Sequence, residues 1–209
     1  MDAAVTVFAA VGVEAAAISE ITSTAGLSNG IFYYHFKDKA ELVDAVGRAV
    51  AAALVSEVDT AIASLQDGPE RVACATEEFI ARAAAEPEWG WLVVRAVGDM
   101  GSFDAQISRG IRKDVGIGLA QGRFAVEADD FLFTSLLAVV GVAVRERLRH
   151  PRAPAVERRA AELVLGMLGM PPADASSIAW RVEQTRLHKS AAGESKTRTA
   201  RRAAQAKKS

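Results

Sequence analysis

A single cysteine, Cys74, leaves no possibility of a disulfide within the chain and fits a reducing compartment. It sits in a helical pattern and reads as a small buried hydrophobe. The only histidines are His35, His150 and His188, and none belongs to a metal pair or a catalytic triad motif. No catalytic residue, metal ligand or cofactor is therefore expected. There is no basic N-terminal segment followed by a signal-like apolar core. The longest near-apolar run, Phe131 to Val144, has 14 residues and contains Thr134 and Ser135. It is too short to span a bilayer and reads as a buried helix, so a cytoplasmic chain without a membrane partner is expected. All six prolines lie beyond residue 68, where they act as punctuation. Gly116-x-Gly118-x-x-x-Gly122 has the wrong spacing for a nucleotide loop, and no strand precedes it.

Basic charge is scarce over most of the chain. The net charge of −1 divides into −8 over residues 1–185 and +7 over 186–209. Residues 1–48 hold Lys37, Lys39 and Arg48 against six acidic groups, a weak electrostatic footprint for a nucleic-acid binder. From His188 onward the chain is basic and poor in apolar bulk, and disorder is expected.

What is present is helix, favoured by abundant alanine and by a half-hydrophobic composition. The organising stretch is Ile18 to Phe36. Ile18, Ile21 and Ala25 share one face of a short helix. Gly26 can take the positive φ of a sharp turn, and Ser28 can cap a second helix. On that helix Phe32 and Phe36 point inward, while the pairs Asn29–Tyr33 and Gly30–Tyr34 lie on the other side. A helix-turn-helix presents its second helix to a DNA major groove in this way, and Asn29 can pair bidentately with adenine.

Phe8, Gly12, Ile18, Glu20-Ile21, Ala25-Gly26-Leu27-Ser28, Gly30, Phe32-Tyr33-Tyr34-His35-Phe36, Lys39 and Leu42 resemble the N-terminal domain of TetR-type (TetR/AcrR) transcriptional regulators. The resemblance covers roughly residues 1–50. It implies that Asn29, Gly30 and Tyr33 face base edges, that Tyr34, His35 and Lys39 lie near phosphates, and that Ser19 can reach a base; Ser28 completes the set. Two departures stand out. Relatives of this kind usually begin about ten or more residues earlier, so either the chain is naturally short or its start lies upstream, and in either case helix 1 as given lacks a normal first turn. Ala16-Ala17 replaces the expected Thr or Ser cap, a loss of roughly 0.5–2 kcal/mol, and weaker DNA affinity is expected.

In order, Asp2 to Val11 reads as helix 1, with Ala4, Phe8 and Val11 on one side. Val5, Ile18, Ile21, Leu27, Phe32 and Phe36 complete a three-helix core. Asp38-x-x-Glu41 is a capping box opening a long helix through Leu42, Val46, Val50, Leu54, Val58, Ile62 and Leu65. Further helices are expected over 70–85, from Pro87 toward Gly98, over 104–121, from Asp129-Asp130 to about His150, and over 155–168. A short last helix carries Ile178 and Val182. The expected architecture is all-α: a helix-turn-helix domain (1–47), a helical ligand-binding and dimerisation domain (48–187) and a basic tail (188–209).

The resemblance further implies a small-molecule pocket in the second domain. Phe79, Trp89, Trp91, Met100, Phe103, Ile107 and Phe131 are candidate walls, with Arg95 or Gln106 as polar handles; each is also a candidate for ordinary core. It implies a homodimer through the last two apolar helices, with Leu136, Val140, Val144, Leu163 and Met167 as candidate interface residues. A two-fold dimer would present two recognition helices about 34–36 Å apart to a near-palindromic double-stranded operator. The reading is a ligand-released regulator, expected to be a repressor. The alternative is a helical ligand-binding or interaction protein with a weakened DNA-binding head.

Overall fold

A computed structural model describes residues 1–98, 105–153 and 155–188, with the side chains of residues 9, 88, 89, 95–98 and 105–107 outside the description. The expected disorder of the tail falls on residues outside it. Every regular element among the described residues is a helix: α1 (Asp2–Val11), α2 (Ile18–Thr24), α3 (Asn29–His35), α4 (Lys39–Ile62), α5 (Gly68–Ala85), α6 (Pro87–Gly98), α7 (Ala105–Ala120), α8 (Asp130–Arg149) and α9 (Val156–Met167). A tenth, α10, runs over 172–188 and is longer than expected.

The caps follow the sequence. Asp38 accepts from the Glu41 N–H at 2.9 Å, and Asp67 and Asp129 cap α5 and α8 in the same way. Glu41 does not close the expected reciprocal bond to Asp38. Its Oε2 takes the Lys37 N–H instead, at 2.6 Å. The predicted weak point is present too: α2 starts at Ala17 with no side-chain cap. Gly118 has a packing role together with Gly68, whereas a Cβ on Gly116 would meet nothing within 4 Å. A Cβ on Gly118 would stand 2.2 Å from the Phe124 ring, and one on Gly68 would stand 2.4 Å from the Gly118 backbone. Only glycine lets α5 and α7 approach this closely.

Three cores result. Ala4, Val7, Phe8, Ile21, Phe32, Leu42, Val43 and Val46 form the head core, and Leu92 of α6 is buried with them. A central core joins α4, α5, α6, α8 and the start of α9. A distal core joins α5, α7, α8, α9 and α10. Two expected head-core residues are not in it. Val11 is 42 % and Leu27 48 % exposed, because Val7 takes the inward position on α1 and Leu27 lies in the turn.

Candidate functional site

The head is built around a short α3. Gly26 turns the chain with φ 66, and Ser28 accepts from the Ile31 N–H to start the helix. Phe32 is buried, and its ring lies 5.6 Å from that of Phe36, which is half-buried just past the helix end. With that side anchored, the opposite edge faces solvent. Tyr33 is 59 % and Tyr34 83 % exposed, and Ser19, Ser28, Asn29, Gly30 and His35 are exposed as well. The Tyr34 and His35 rings pack edge to face, 5.0 Å apart. Lys39 differs: it is half-buried, and its Nζ donates to the Glu14 carbonyl at 2.9 Å, tying the start of α4 to the α1–α2 loop.

Asn29 is held from beneath. The hydroxyl of Thr22, buried on α2, lies 2.7 Å from Asn29 Oδ1. Sequence periodicity could not flag Thr22, since a threonine directly after an apolar position has no distinguishing pattern.

The second feature is a cavity of about 70 Å³ walled by four helices. Val55, Val58 and Asp59 come from α4; Val72, Ala75, Thr76 and Phe79 from α5; Gly110, Ile111 and Asp114 from α7; Leu137 and Val140 from α8. The lining is apolar apart from Asp59, Asp114 and Thr76. Asp114 is buried, and Arg71 Nε and Nη2 both reach its Oδ1 at 2.7 Å. Desolvation pushes the Asp114 carboxyl above its ordinary value, against the hydrogen bond and charge of Arg71. The same guanidinium donates to the carbonyls of Ile62 and Leu65 at 3.0 and 2.9 Å. It thereby caps the end of α4, whose other end carries the head.

Of the expected pocket walls, Phe79 lines this cavity. Trp91 and Phe131 do not. Trp91 is 43 % exposed because α6 turns Leu92, Val93 and Val94 inward. Phe131 is 81 % exposed because the inward stripe of α8 is Phe133, Leu136, Leu137, Val140 and Val144. Trp89, Arg95, Met100, Phe103, Gln106 and Ile107 lie outside the described residues or side chains. The polar groups lining this cavity are Asp59, Asp114 and Thr76, none of which was expected from the sequence. An acidic residue on a long helix looks like a solvated face until the helix opposite is known.

The expected dimer residues divide likewise. Leu136, Val140 and Val144 are spent on the subunit's own core. Val142 and Leu163 are 61 % and 60 % exposed, Ala138 and Gly166 are exposed, and Met167 is half-buried. These form an apolar face across α8 and α9 that is exposed among the described residues. Among the described residues no group of three or more His, Cys, Asp or Glu is placed to hold a metal, and no helix is long and apolar enough to cross a membrane.

Residues 1–46 match the family described as bacterial regulatory proteins, tetR family. Residues 67–181 match the tetracyclin repressor-like C-terminal domain. No curated protein matches the chain. Among solved structures, it is similar to RolR (NCGL1110) in complex with resorcinol, at 26 % identity and a TM-score of 0.75, over 85 % of this chain and 89 % of that one. RolR without ligand gives 25 % identity and 0.67, over 85 % and 93 %. A putative tetR family regulator from Shewanella sp. PV-4, at 16 % identity and 0.55 over 79 % and 93 %, shares the fold.

Proposed function

The chain belongs to the tetR family of bacterial regulatory proteins, and from that premise we propose a dimeric repressor that a small hydroxylated aromatic molecule releases from a near-palindromic operator. The observation that carries the DNA half is the solvent-facing edge of Asn29, Gly30, Tyr33 and Tyr34 on a helix anchored by Phe32. Such a helix enters a major groove with its N-terminal residues on base edges and its flanks on phosphates. Two copies related by a two-fold axis through the α8–α9 face read two half-sites, and the pairing covers Val142 and Leu163.

The ligand half rests on the cavity. Its walls suit a flat apolar ring, and two carboxylates with a threonine hydroxyl suit hydroxyl groups on that ring. RolR, the similar protein solved with resorcinol, points to the same class. A dry cavity of roughly 150 Å³ admits benzene. This one is about 70 Å³, so a ring must push its walls apart. Two contacts carry that push to the head: Arg71, which ties Asp114 to the end of α4, and α6, whose Leu92 is buried in the head core. A ligand that favours the displaced arrangement lowers operator affinity by linkage.

The test is salt-titrated binding of the full chain to the DNA upstream of its own gene, with and without resorcinol. Tyr33→Ala should abolish sequence-specific binding while the melting temperature stays within a few degrees. Wild-type binding equally indifferent to every sequence would defeat the reading. It would favour a ligand-binding helical protein with a weakened head, toward which the uncapped Ala17 and the acidic first 48 residues lean.

A further inference from the structure

The Thr22–Asn29 contact carries a consequence for which base the head selects. Thr22 Oγ1 lies 3.1 Å from the Ser19 carbonyl and 2.7 Å from Asn29 Oδ1. A hydroxyl has one hydrogen. The 2.7 Å separation is the ordinary length of an O–H···O bond, so the hydrogen goes to Asn29. Thr22 is 5 % exposed and fixed within α2, whereas Asn29 is exposed as the first residue of α3. The buried partner therefore sets the plane of the exposed amide. Oδ1 is turned back onto α2 with one lone pair used. The two Nδ2 hydrogens have no hydrogen-bond partner among the described residues and are left for a ligand.

Resting on the DNA-binding reading above, we infer that Thr22 is a positioning residue that sets the base preference of Asn29, turning it from adenine toward guanine. Adenine offers an acceptor at N7 and a donor at N6 in the major groove, and an asparagine that pairs with both needs its oxygen and its nitrogen side by side at the base. Guanine offers two acceptors, N7 and O6. An amide that presents two N–H groups and withholds its oxygen matches the second pattern. On this inference the Asn29–adenine pair expected from the sequence gives way to an Asn29–guanine pair.

The experiment selects sites from a randomised duplex library with the full-length protein. It then measures binding to every single-base variant for wild type, Asn29→Ala, Thr22→Val and Thr22→Ser. Wild type should favour guanine over adenine about tenfold at one position per half-site, and Asn29→Ala should erase that preference. Thr22→Val, nearly isosteric, should keep binding but bring the guanine-to-adenine ratio close to one, because the amide is then free to rotate. Thr22→Ser, which keeps the hydroxyl, should retain the preference and guards against a merely structural effect of valine. In the free protein, the side-chain amide resonances of Asn29 should move in Thr22→Val and hold in Thr22→Ser. Adenine selected at that position by wild type overturns the inference, as does a Thr22→Val profile or amide spectrum identical to wild type. Absence of any sequence preference in wild type overturns instead the DNA-binding reading beneath it.

Discussion

Arg71 and Asp114 meet in the buried interior with Nη2 2.7 Å from Oδ1, 5 % and 2 % of their side chains exposed. They come from α5 and α7, yet their joint product is a cap on a third helix, α4. Breaking such a pair strands one buried charge at about 3–5 kcal/mol, whereas removing both costs far less. Arg71→Met should therefore destabilise the protein by several kcal/mol, and Arg71→Met with Asp114→Leu should recover part of that loss in chemical denaturation. The double variant should bind operator without responding to resorcinol. A double variant that still releases DNA with wild-type sensitivity would show that the signal leaves the cavity by another route, with α6 the obvious one.

The cavity depends on the absence of a side chain. A Cβ on Gly110 would sit 3.2 Å from Asp59 Oδ1 and 3.4 Å from Val55 Cγ1. Gly110→Val should fill the space and press on Asp59, weakening resorcinol binding at least tenfold by calorimetry. It should leave DNA affinity intact and give a regulator that cannot be induced. Unchanged ligand affinity would place the effector elsewhere.

Glu77 is fully buried beneath α10, with Oε2 3.2 Å from Arg186 Nε and Oε1 without a partner among the described residues. Desolvation, only partly offset by Arg186, pushes its carboxyl from 4.5 up to about 7; Glu183 and Glu157 add to the rise. Between these values the folded state holds a proton that the unfolded chain has released. Stability should thus fall as pH rises through this window, by on the order of 3 kcal/mol at most, and level off above it. Glu77→Gln should remove that slope and raise the melting temperature at pH 8 relative to wild type. A slope that survives the substitution would assign it to another group.

The uncovered α8–α9 face predicts an assembly. Leu163→Glu places a charge where a two-fold pairing would bury it. The variant should sediment as a single chain and lose operator binding, with an unchanged helical spectrum. Wild type of single-chain mass at every concentration, with DNA present, would exclude the dimer.

Ala17 opens α2 with extended backbone and no side-chain cap. Ala17→Thr should restore a capping box with Glu20 and stabilise the head by about 1 kcal/mol. Local hydrogen exchange in α2 would register it, and exchange no slower than in wild type would mean that the hydroxyl finds no N–H.

The sequence alone determined what local rules can see. Helix starts were legible at Asp38 and Asp129, whose carboxylates stand shortly ahead of apolar repeats; the cap at Asp67 was not, because Gly68 and Pro69 follow it and the apolar repeat resumes only at Val72. The turn at Gly26 was legible because only a few residues accept positive φ. The inward Phe32 and outward Tyr33 and Tyr34 followed from helical periodicity. Which face of α8 turns inward was not legible, because that stripe is apolar nearly all round and only the neighbours α5, α6 and α9 choose between Val140 and Val142. Nor were Asp59, Asp114, Thr22 and Arg71. Each gains its meaning from a partner on another helix, between 7 and 43 residues away for the pairs Thr22–Asn29 and Arg71–Asp114. Periodicity assigns a side chain to a face, but tertiary packing decides what that face meets. A buried charge is tolerated only where that meeting supplies its counter-charge.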